Sequence, residues 1–123
     1  MHELAISQSL VSEAERVADT HGAERITALT VLVGPLSGVE APLLERAFTM
    51  ARMGTRAADA TLHVDVAPVV VWCGECRRES TVRPNALLCE ACGTWRVTLR
   101  SGDELILKRV ELATTEPEQA VLH

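Results

Sequence analysis

Two pairs of cysteines constrain the fold of this chain more than any other feature of its sequence. Cys73 and Cys76 are separated by two residues, and Cys89 and Cys92 repeat that spacing after an interval of twelve residues. A Cys-x-x-Cys pair can form a tight turn that directs both thiolates at one point, and two such turns create a tetrahedral set of sulfur ligands. This pattern predicts a zinc site formed by all four cysteines. Because four thiolates fill the coordination shell of zinc, the site is expected to be structural rather than catalytic.

The segment that contains the cysteines is too short to fold around an apolar core of its own. Metal binding stabilises comparable small modules by about 10 kcal/mol, so we expect residues 69–100 to form a zinc-binding domain that depends on its ion. In a reducing compartment, four clustered cysteines are expected to be metal ligands rather than partners in disulfides. Since neither a secretion signal nor a long apolar run is visible, the sequence favours a cytoplasmic protein.

Outside this segment, apolar residues follow helical spacing in two places. Residues 3–20 carry apolar side chains three and four positions apart, which predicts an amphipathic helix that stops near Gly22. A second helix is predicted to begin near Glu40, with Pro42 tolerated in its first turn, and to end at Gly54. Its buried face is predicted to consist of Leu43, Leu44, Ala47, Phe48 and Ala51.

Alternating apolar and β-branched residues predict three strands, at residues 26–33, 62–66 and 104–112. The resulting order of elements indicates an α+β fold, a small three-stranded sheet with two helices, plus an inserted zinc-ribbon-like module. The α/β domain would be discontinuous and comprise residues 1–68 and 101–113. Residues 114–123 show no periodicity and are predicted to be a flexible tail.

Charge and motif content argue against two other classes of function. The formal net charge is −5, whereas nucleic-acid binding usually needs a basic surface. Five arginines and three glutamates give residues 72–100 a formal charge of +2, which a zinc ion held by four thiolates offsets. A zinc-ribbon adaptor that binds nucleic acid or protein therefore remains only as the alternative function. Catalytic motifs such as HExxH or a glycine-rich phosphate loop are absent, so an enzyme is not expected.

The chain begins Met-His-Glu, and this start allows two interpretations. In the first, His2 is an ordinary exposed residue. In the second, the α-amine of Met1, the next backbone nitrogens and the His2 imidazole form a compact set of nitrogen ligands, which suits planar coordination of Ni(II) or Cu(II). The remaining histidines are isolated in the sequence and are predicted to be structural or at the surface; they are His21, His63 and His123.

Several short segments occur in one order along the chain and favour the second interpretation. They are Met-His-Glu-Leu at residues 1–4, Leu-Ser-Gly-Val-Glu at 36–40, the two cysteine pairs, and Ser-Gly-Asp-Glu-Leu at 101–105. Together they resemble the HypA/HybF family of nickel-incorporation proteins, which act in NiFe-hydrogenase maturation, and the resemblance extends from residue 1 to about residue 112. Two departures touch no ligand: the second cysteine pair encloses Glu90-Ala91, where proline is frequent in the family, and Ala41 precedes Pro42.

The resemblance implies a nickel metallochaperone that binds Ni(II) at its N-terminus and delivers it for maturation of NiFe-hydrogenase. It implies that His2 is the essential nickel ligand, assisted by the Met1 amine. Glu3 matches a residue important for nickel binding, and Glu40 matches an acidic position implicated in some members. The implied zinc ligands are Cys73, Cys76, Cys89 and Cys92.

The same resemblance implies the partners of the protein. They would be a HypB-like hydrogenase-maturation GTPase and the hydrogenase large subunit, with no binding of nucleic acid or membrane. A monomer or a weak homodimer is expected.

Overall fold

The structure is a computed structural model of the chain, and it describes residues 2–114 and 119–122. Within these residues the chain forms two helices and seven strands. They are α1 (His2–Thr20), β1 (Arg25–Val33), α2 (Ala41–Ala51), β2 (Thr61–Val66), β3 (Val69–Cys73), β4 (Arg78–Val82), β5 (Val97–Ser101), β6 (Leu105–Ala113) and β7 (Gln119–Leu122). One sheet has the strand order β2-β1-β6-β7, and the other has the order β4-β3-β5.

The chain separates into two compact units. The first, the α/β unit, comprises residues 1–31, 40–65 and 106–123, and the second, the cysteine unit, comprises residues 32–39 and 66–105. The cysteine unit is therefore larger than the predicted segment 69–100. Residues 32–39 belong to it as well, although the sequence analysis had placed them with the helices.

Helix α1 forms because its apolar residues recur on one face, as the sequence predicted. Leu10, Val11, Ala14 and Ala18 are buried along that face. Ser7 is also fully buried, and its hydroxyl group donates a hydrogen bond to the backbone carbonyl of Leu44 in α2, 3.3 Å away. This contact satisfies the buried hydroxyl and joins the N-terminal half of α1 to α2.

Helix α2 differs from its predicted form in its buried face. Leu44 and Phe48 are buried, but Leu43 is 40% exposed, so its predicted burial was wrong. Adjacent helix positions are rotated by about 100° from each other, so Leu43 and Leu44 lie on different sides of the helix, and the fully buried one is Leu44. Pro42 lies in the first turn, where a missing N–H group breaks no helical hydrogen bond.

The three predicted strands of the α/β unit are present as β1, β2 and β6. Strand β1 lies between β2 and β6 and buries residues on both faces, which explains its nearly continuous run of apolar and β-branched residues. The Thr27 hydroxyl donates to the Glu111 carbonyl across the β1–β6 pair, at 3.2 Å.

A fourth strand of this sheet, β7, falls in the segment that was predicted to be a flexible tail. Residues 119–122 pair antiparallel with β6, and Val110 lies opposite Leu122. The prediction is corrected for these four residues, while residues 115–118 and 123 lie outside the described part of the chain. A strand of four residues is too short to show a clear period-two pattern. The pairing with β6 is what defines it as a strand.

Backbone contacts tie residues 32–39 into the cysteine unit. The Gly34 N–H donates to the carbonyl of Glu104 at 2.8 Å, and the Leu36 N–H donates to the carbonyl of Gly102 at 2.7 Å. The backbones approach so closely that a Cβ on Gly34 would overlap the Gly102 carbonyl group. The turn is further fixed by Glu104, whose carboxylate accepts bonds from the Gly102 N–H at 2.8 Å and the Ser101 hydroxyl at 2.9 Å. These bonds lower the pKa of Glu104.

Candidate metal centres

The first cysteine pair lies at the end of the β3–β4 hairpin. Val69, Val71 and Cys73 alternate as the buried residues of β3, so the strand period places the Cys73 side chain on the buried face. Cys73 is paired with Arg78 of β4 and with Val97 of β5. The β3–β5 pairing therefore brings the segment that follows the second cysteine pair next to the first pair.

The two Cys-x-x-Cys turns have the same backbone hydrogen bond. The N–H of Arg77 donates to the carbonyl of Cys73, and the N–H of Gly93 donates to the carbonyl of Cys89, each at 2.8 Å. Both donor residues have positive φ angles, 54° for Arg77 and 73° for Gly93. Glycine adopts this conformation without steric cost, whereas arginine does not. The sequence held a signal for this asymmetry, since Arg77 and Gly93 each follow the second cysteine of a pair.

The four predicted cysteines come together in one cluster. Their sulfur atoms all lie within 4.8 Å of one another, and the sulfur atoms of Cys73 and Cys92 are 3.8 Å apart. Four thiolates placed 2.3 Å from a tetrahedral ion would be separated by about 3.8 Å. None of the four is in a disulfide. The cluster therefore has the size and the donor atoms needed to hold one metal ion.

Hydrogen bonds within the cluster distribute charge unequally among the thiols. Bonds shared with the sulfur atoms of Cys92 and Cys89 raise the pKa of Cys76 to about 12. The backbone N–H of Cys92 donates to the Cys89 sulfur and lowers the pKa of Cys89 to about 6. Sulfur atoms this close share protons because several adjacent thiolates repel one another. A divalent cation replaces those protons and stabilises the full set of thiolates.

The predicted N-terminal site involves a different kind of structure. His2 is the first residue of α1, and its side chain is 57% exposed. Its Nδ1 atom lies 3.5 Å from the Glu3 carboxylate, and the Glu3 side chain is mostly buried. Met1, whose amine was predicted to be a ligand, lies outside the described residues. In residues 2–114 and 119–122, the four cysteines form the only group of three or more potential side-chain ligands close enough to bind one ion.

Among the described residues, no other predicted site residue joins His2 and Glu3 to form a group of three potential metal ligands. Glu40 is exposed and precedes α2 as its N-cap residue, and its side chain makes no capping hydrogen bond. Its role in nickel binding stays a prediction. His21 and His63 are both exposed, and His123 lies outside the described part of the chain. In the part that the structure describes, neither helix is long and apolar enough to cross a membrane.

Taken together, the secondary structure and the cysteine cluster define the class of this protein. The protein is a small α+β protein that carries a zinc-ribbon-like module with a four-cysteine metal-binding cluster. Residues 1–112 match the family model described as hydrogenase/urease nickel incorporation, metallochaperone, HypA. Because this match covers most of the chain, the protein belongs to the HypA family of nickel-incorporation metallochaperones in hydrogenase maturation.

Curated relatives support the same family over nearly their whole length. The chain is 44% identical to the hydrogenase maturation factor HypA of Nitrosospira multiformis, in an alignment that covers 94% of this chain and 100% of the relative. It is 37% identical to the hydrogenase maturation factor HybF of Klebsiella pneumoniae, with coverage of 90% and 98%. The resemblance inferred from the sequence is therefore confirmed.

Solved structures have the same fold. One solution structure of a HypA protein matches with a TM-score of 0.70 and 26% identity, covering 91% of this chain and 96% of the other. The solution structure of the nickel metallochaperone HypA from Helicobacter pylori matches with a TM-score of 0.68 and 24% identity, covering 91% and 97%. The predicted fold class, a small α+β protein with a zinc-ribbon-like module, is confirmed.

Proposed function

We propose that this protein binds Ni(II) at its N-terminus and delivers it for maturation of NiFe-hydrogenase, while its four cysteines hold a structural zinc. Membership of the family supports the general role in nickel incorporation. The ligands at each site, the identity of each metal and the direction of delivery go beyond that general role. The protein would act by binding and transfer, without catalytic turnover.

The zinc assignment is supported by the geometry of the cysteine cluster. The sulfur atoms of Cys73 and Cys92 are separated by 3.8 Å, as in a thiolate tetrahedron, and all four lie within 4.8 Å of one another. Thiolates are ligands that select zinc among the common divalent ions. Four protein ligands would leave no coordination position for water or substrate. Zinc would then supply charge neutralisation and a crosslink between Cys73 and Cys76 on one side and Cys89 and Cys92 on the other.

The position of His2 at the start of α1 is the observation that carries the nickel assignment. The N–H groups in the first turn of a helix point toward the chain end, where the Met1 amine is attached. The imidazole of His2 and the nitrogen atoms beside it are therefore close together in the chain, as planar Ni(II) coordination requires. Glu3 supplies a carboxylate 3.5 Å from the imidazole, and Glu40 is proposed as a further contributor.

The exposure of His2 suits transfer of the metal. A delivery site has to be reached by the acceptor, and 57% of the His2 side chain is exposed. In the cysteine cluster, Cys73 and Cys89 are buried, Cys76 is intermediate and only Cys92 is exposed. We propose that the recipients are a HypB-like GTPase and the hydrogenase large subunit. The cytoplasm is the proposed location, because free cysteines are maintained in a reducing compartment.

Nickel titration of His2→Ala tests this function. The variant is expected to lose nickel binding and to retain the zinc content of the native protein, because the two sites share no ligand. His21→Ala is the matched control, since it removes an exposed histidine at the other end of α1. It should bind nickel as the native protein does. Equal nickel affinity in native and His2→Ala proteins would contradict the proposal.

A further inference from the structure

Ser80 is a buried hydroxyl group beside the cysteine cluster that the sequence pattern did not identify. Only 3% of this residue is exposed. It lies on β4, which carries no cysteine, and is paired with Val71 of β3. Directly paired residues of an antiparallel ladder project on the same face, so Ser80 shares the face on which β3 buries Val71 and Cys73.

The oxygen of Ser80 contacts the backbone of the second cysteine turn. It accepts a hydrogen bond from the N–H of Glu90 at 3.1 Å. Glu90 directly follows Cys89, which is itself buried. The hydrogen bond thus connects the hairpin that carries the first cysteine pair to the residue next to a ligand of the second pair.

The two sides of the second turn are held differently. On its C-terminal side, Val97 enters β5 and pairs with Cys73, so the ladder fixes that side. On its N-terminal side, residues 83–89 form no helix or strand. The contact between Ser80 and Glu90 therefore holds the side of the turn that the sheet does not hold.

A second contact between β4 and Glu90 provides an internal comparison. The guanidinium group of Arg78 lies 3.9 Å from the Glu90 carboxylate, and both side chains are more than half exposed. Exposed ion pairs contribute little to stability, whereas a hydrogen bond to a hydroxyl group that is itself buried contributes more. The buried hydroxyl is thus expected to matter more than the exposed ion pair.

We propose that Ser80 is a positioning residue for the four-cysteine metal site. By accepting the Glu90 N–H, its hydroxyl sets the position of Cys89 relative to the first cysteine pair. The inference rests on the zinc assignment in the proposed function and extends it to a residue that touches no metal. It predicts that removal of the hydroxyl changes both the retention of the ion and the geometry of its ligands.

The test compares four full-length proteins, native, Ser80→Ala, Ser80→Thr and Arg78→Gln, each loaded with zinc and separately with cobalt. Transfer of zinc to an excess of a chromophoric chelator gives the release rate, and visible absorption of the cobalt form reports the ligand geometry. Ser80→Ala should release zinc about tenfold faster, as expected when the hydrogen bond to the buried Ser80 hydroxyl is lost, and its cobalt spectrum should shift. Ser80→Thr retains the hydroxyl and should restore both properties, and Arg78→Gln should stay within about twofold of native.

The inference requires faster release, a changed cobalt spectrum and rescue by threonine together. Faster release with a native cobalt spectrum, or without rescue, would show general loss of stability and would overturn the inference. Native protein that holds stoichiometric zinc but shows no effect of Ser80→Ala would contradict the Ser80 inference alone. Native protein that holds no zinc would contradict the zinc assignment itself.

Discussion

The four-cysteine cluster and the nickel site proposed at the N-terminus of α1 differ in how each would hold a metal ion. The four cysteines are brought together by strand pairing and two matching turns, and their sulfur atoms lie within 4.8 Å of one another. The proposed N-terminal site would use the exposed imidazole of His2, the neighbouring carboxylate of Glu3 and backbone nitrogens that are close in sequence. A site built from four converging thiolates favours retention of an ion, and a site at a chain end favours exchange with a partner.

Loss of the cysteine ligands should have the largest effect. The double variant Cys73→Ser, Cys92→Ser is expected to bind no zinc and to lose the fold of the cysteine unit, because metal binding contributes about 10 kcal/mol in comparable modules. The α/β unit should remain folded, since it has its own buried core. Metal analysis and amide NMR spectra measure the two outcomes. Native zinc content in this variant would exclude the four-cysteine site.

A smaller loss of stability is expected from a substitution in the cysteine unit that lies outside the four-cysteine cluster. In Gly34→Ala, the new Cβ would overlap the Gly102 carbonyl group, and backbone overlap of this kind costs about 3 kcal/mol. Both tryptophans, Trp72 and Trp95, lie in the cysteine unit, so fluorescence-detected urea unfolding reports on this unit. Zinc content should remain native.

Gly74→Ala is the matched control for that experiment. Gly74 lies within the first cysteine turn, and an added Cβ would meet nothing within 4 Å. Its unfolding midpoint should stay near that of the native protein. If both alanine variants unfold at the same urea concentration, the close contact between the two glycine backbones does not stabilise the unit.

The smallest effect on stability should come from substitutions at the positive-φ residue of each cysteine turn. Arg77 has a φ of 54° where the other turn has Gly93, so Arg77→Gly should stabilise the zinc-loaded cysteine unit by about 0.5–1 kcal/mol. Gly93→Ala should destabilise it by about 1 kcal/mol for the same reason. The same fluorescence measurement applies. Changes of equal sign in the two variants would contradict the steric explanation.

The parts of the fold that the sequence predicted are those with a local signature. Helical spacing identified α1, alternation identified β1, β2 and β6, and repeated spacing identified the cysteine cluster. Each of these patterns reflects one face of an element or one turn of backbone, so the information lies within a short segment.

The parts that it missed depend on contacts between distant segments. The burial of Ser7 accompanies its contact with Leu44 of α2, and the packing of α2 buries Leu44 and leaves its neighbour Leu43 40% exposed. Strand β7 follows from pairing with β6, and the place of residues 32–39 in the cysteine unit follows from backbone hydrogen bonds. None of these features leaves a period or a spacing within a short segment, because each depends on residues from different parts of the chain.

The resemblance to a family added what residue patterns alone left open. Met-His-Glu at the start of the chain is compatible with an ordinary exposed terminus, and only its combination with the cysteine pairs and the other family segments indicated nickel. The structure places His2 at the beginning of α1. The assignments of Met1, Glu3 and Glu40 stay predictions that require nickel itself to be tested.

The claim that the two metals occupy separate sites is tested most directly by nickel calorimetry on three proteins, of which two are loaded with zinc and the cysteine variant is expected to lack it. The proteins are the native chain, the chain with one extra residue before Met1, and the double variant Cys73→Ser, Cys92→Ser. The account predicts one nickel ion per native chain, impaired binding in the extended chain because its free amine is displaced from His2, and retained nickel binding in the cysteine variant. Loss of nickel binding in the cysteine variant, with native binding in the extended chain, would contradict it and would place nickel at the cysteine cluster.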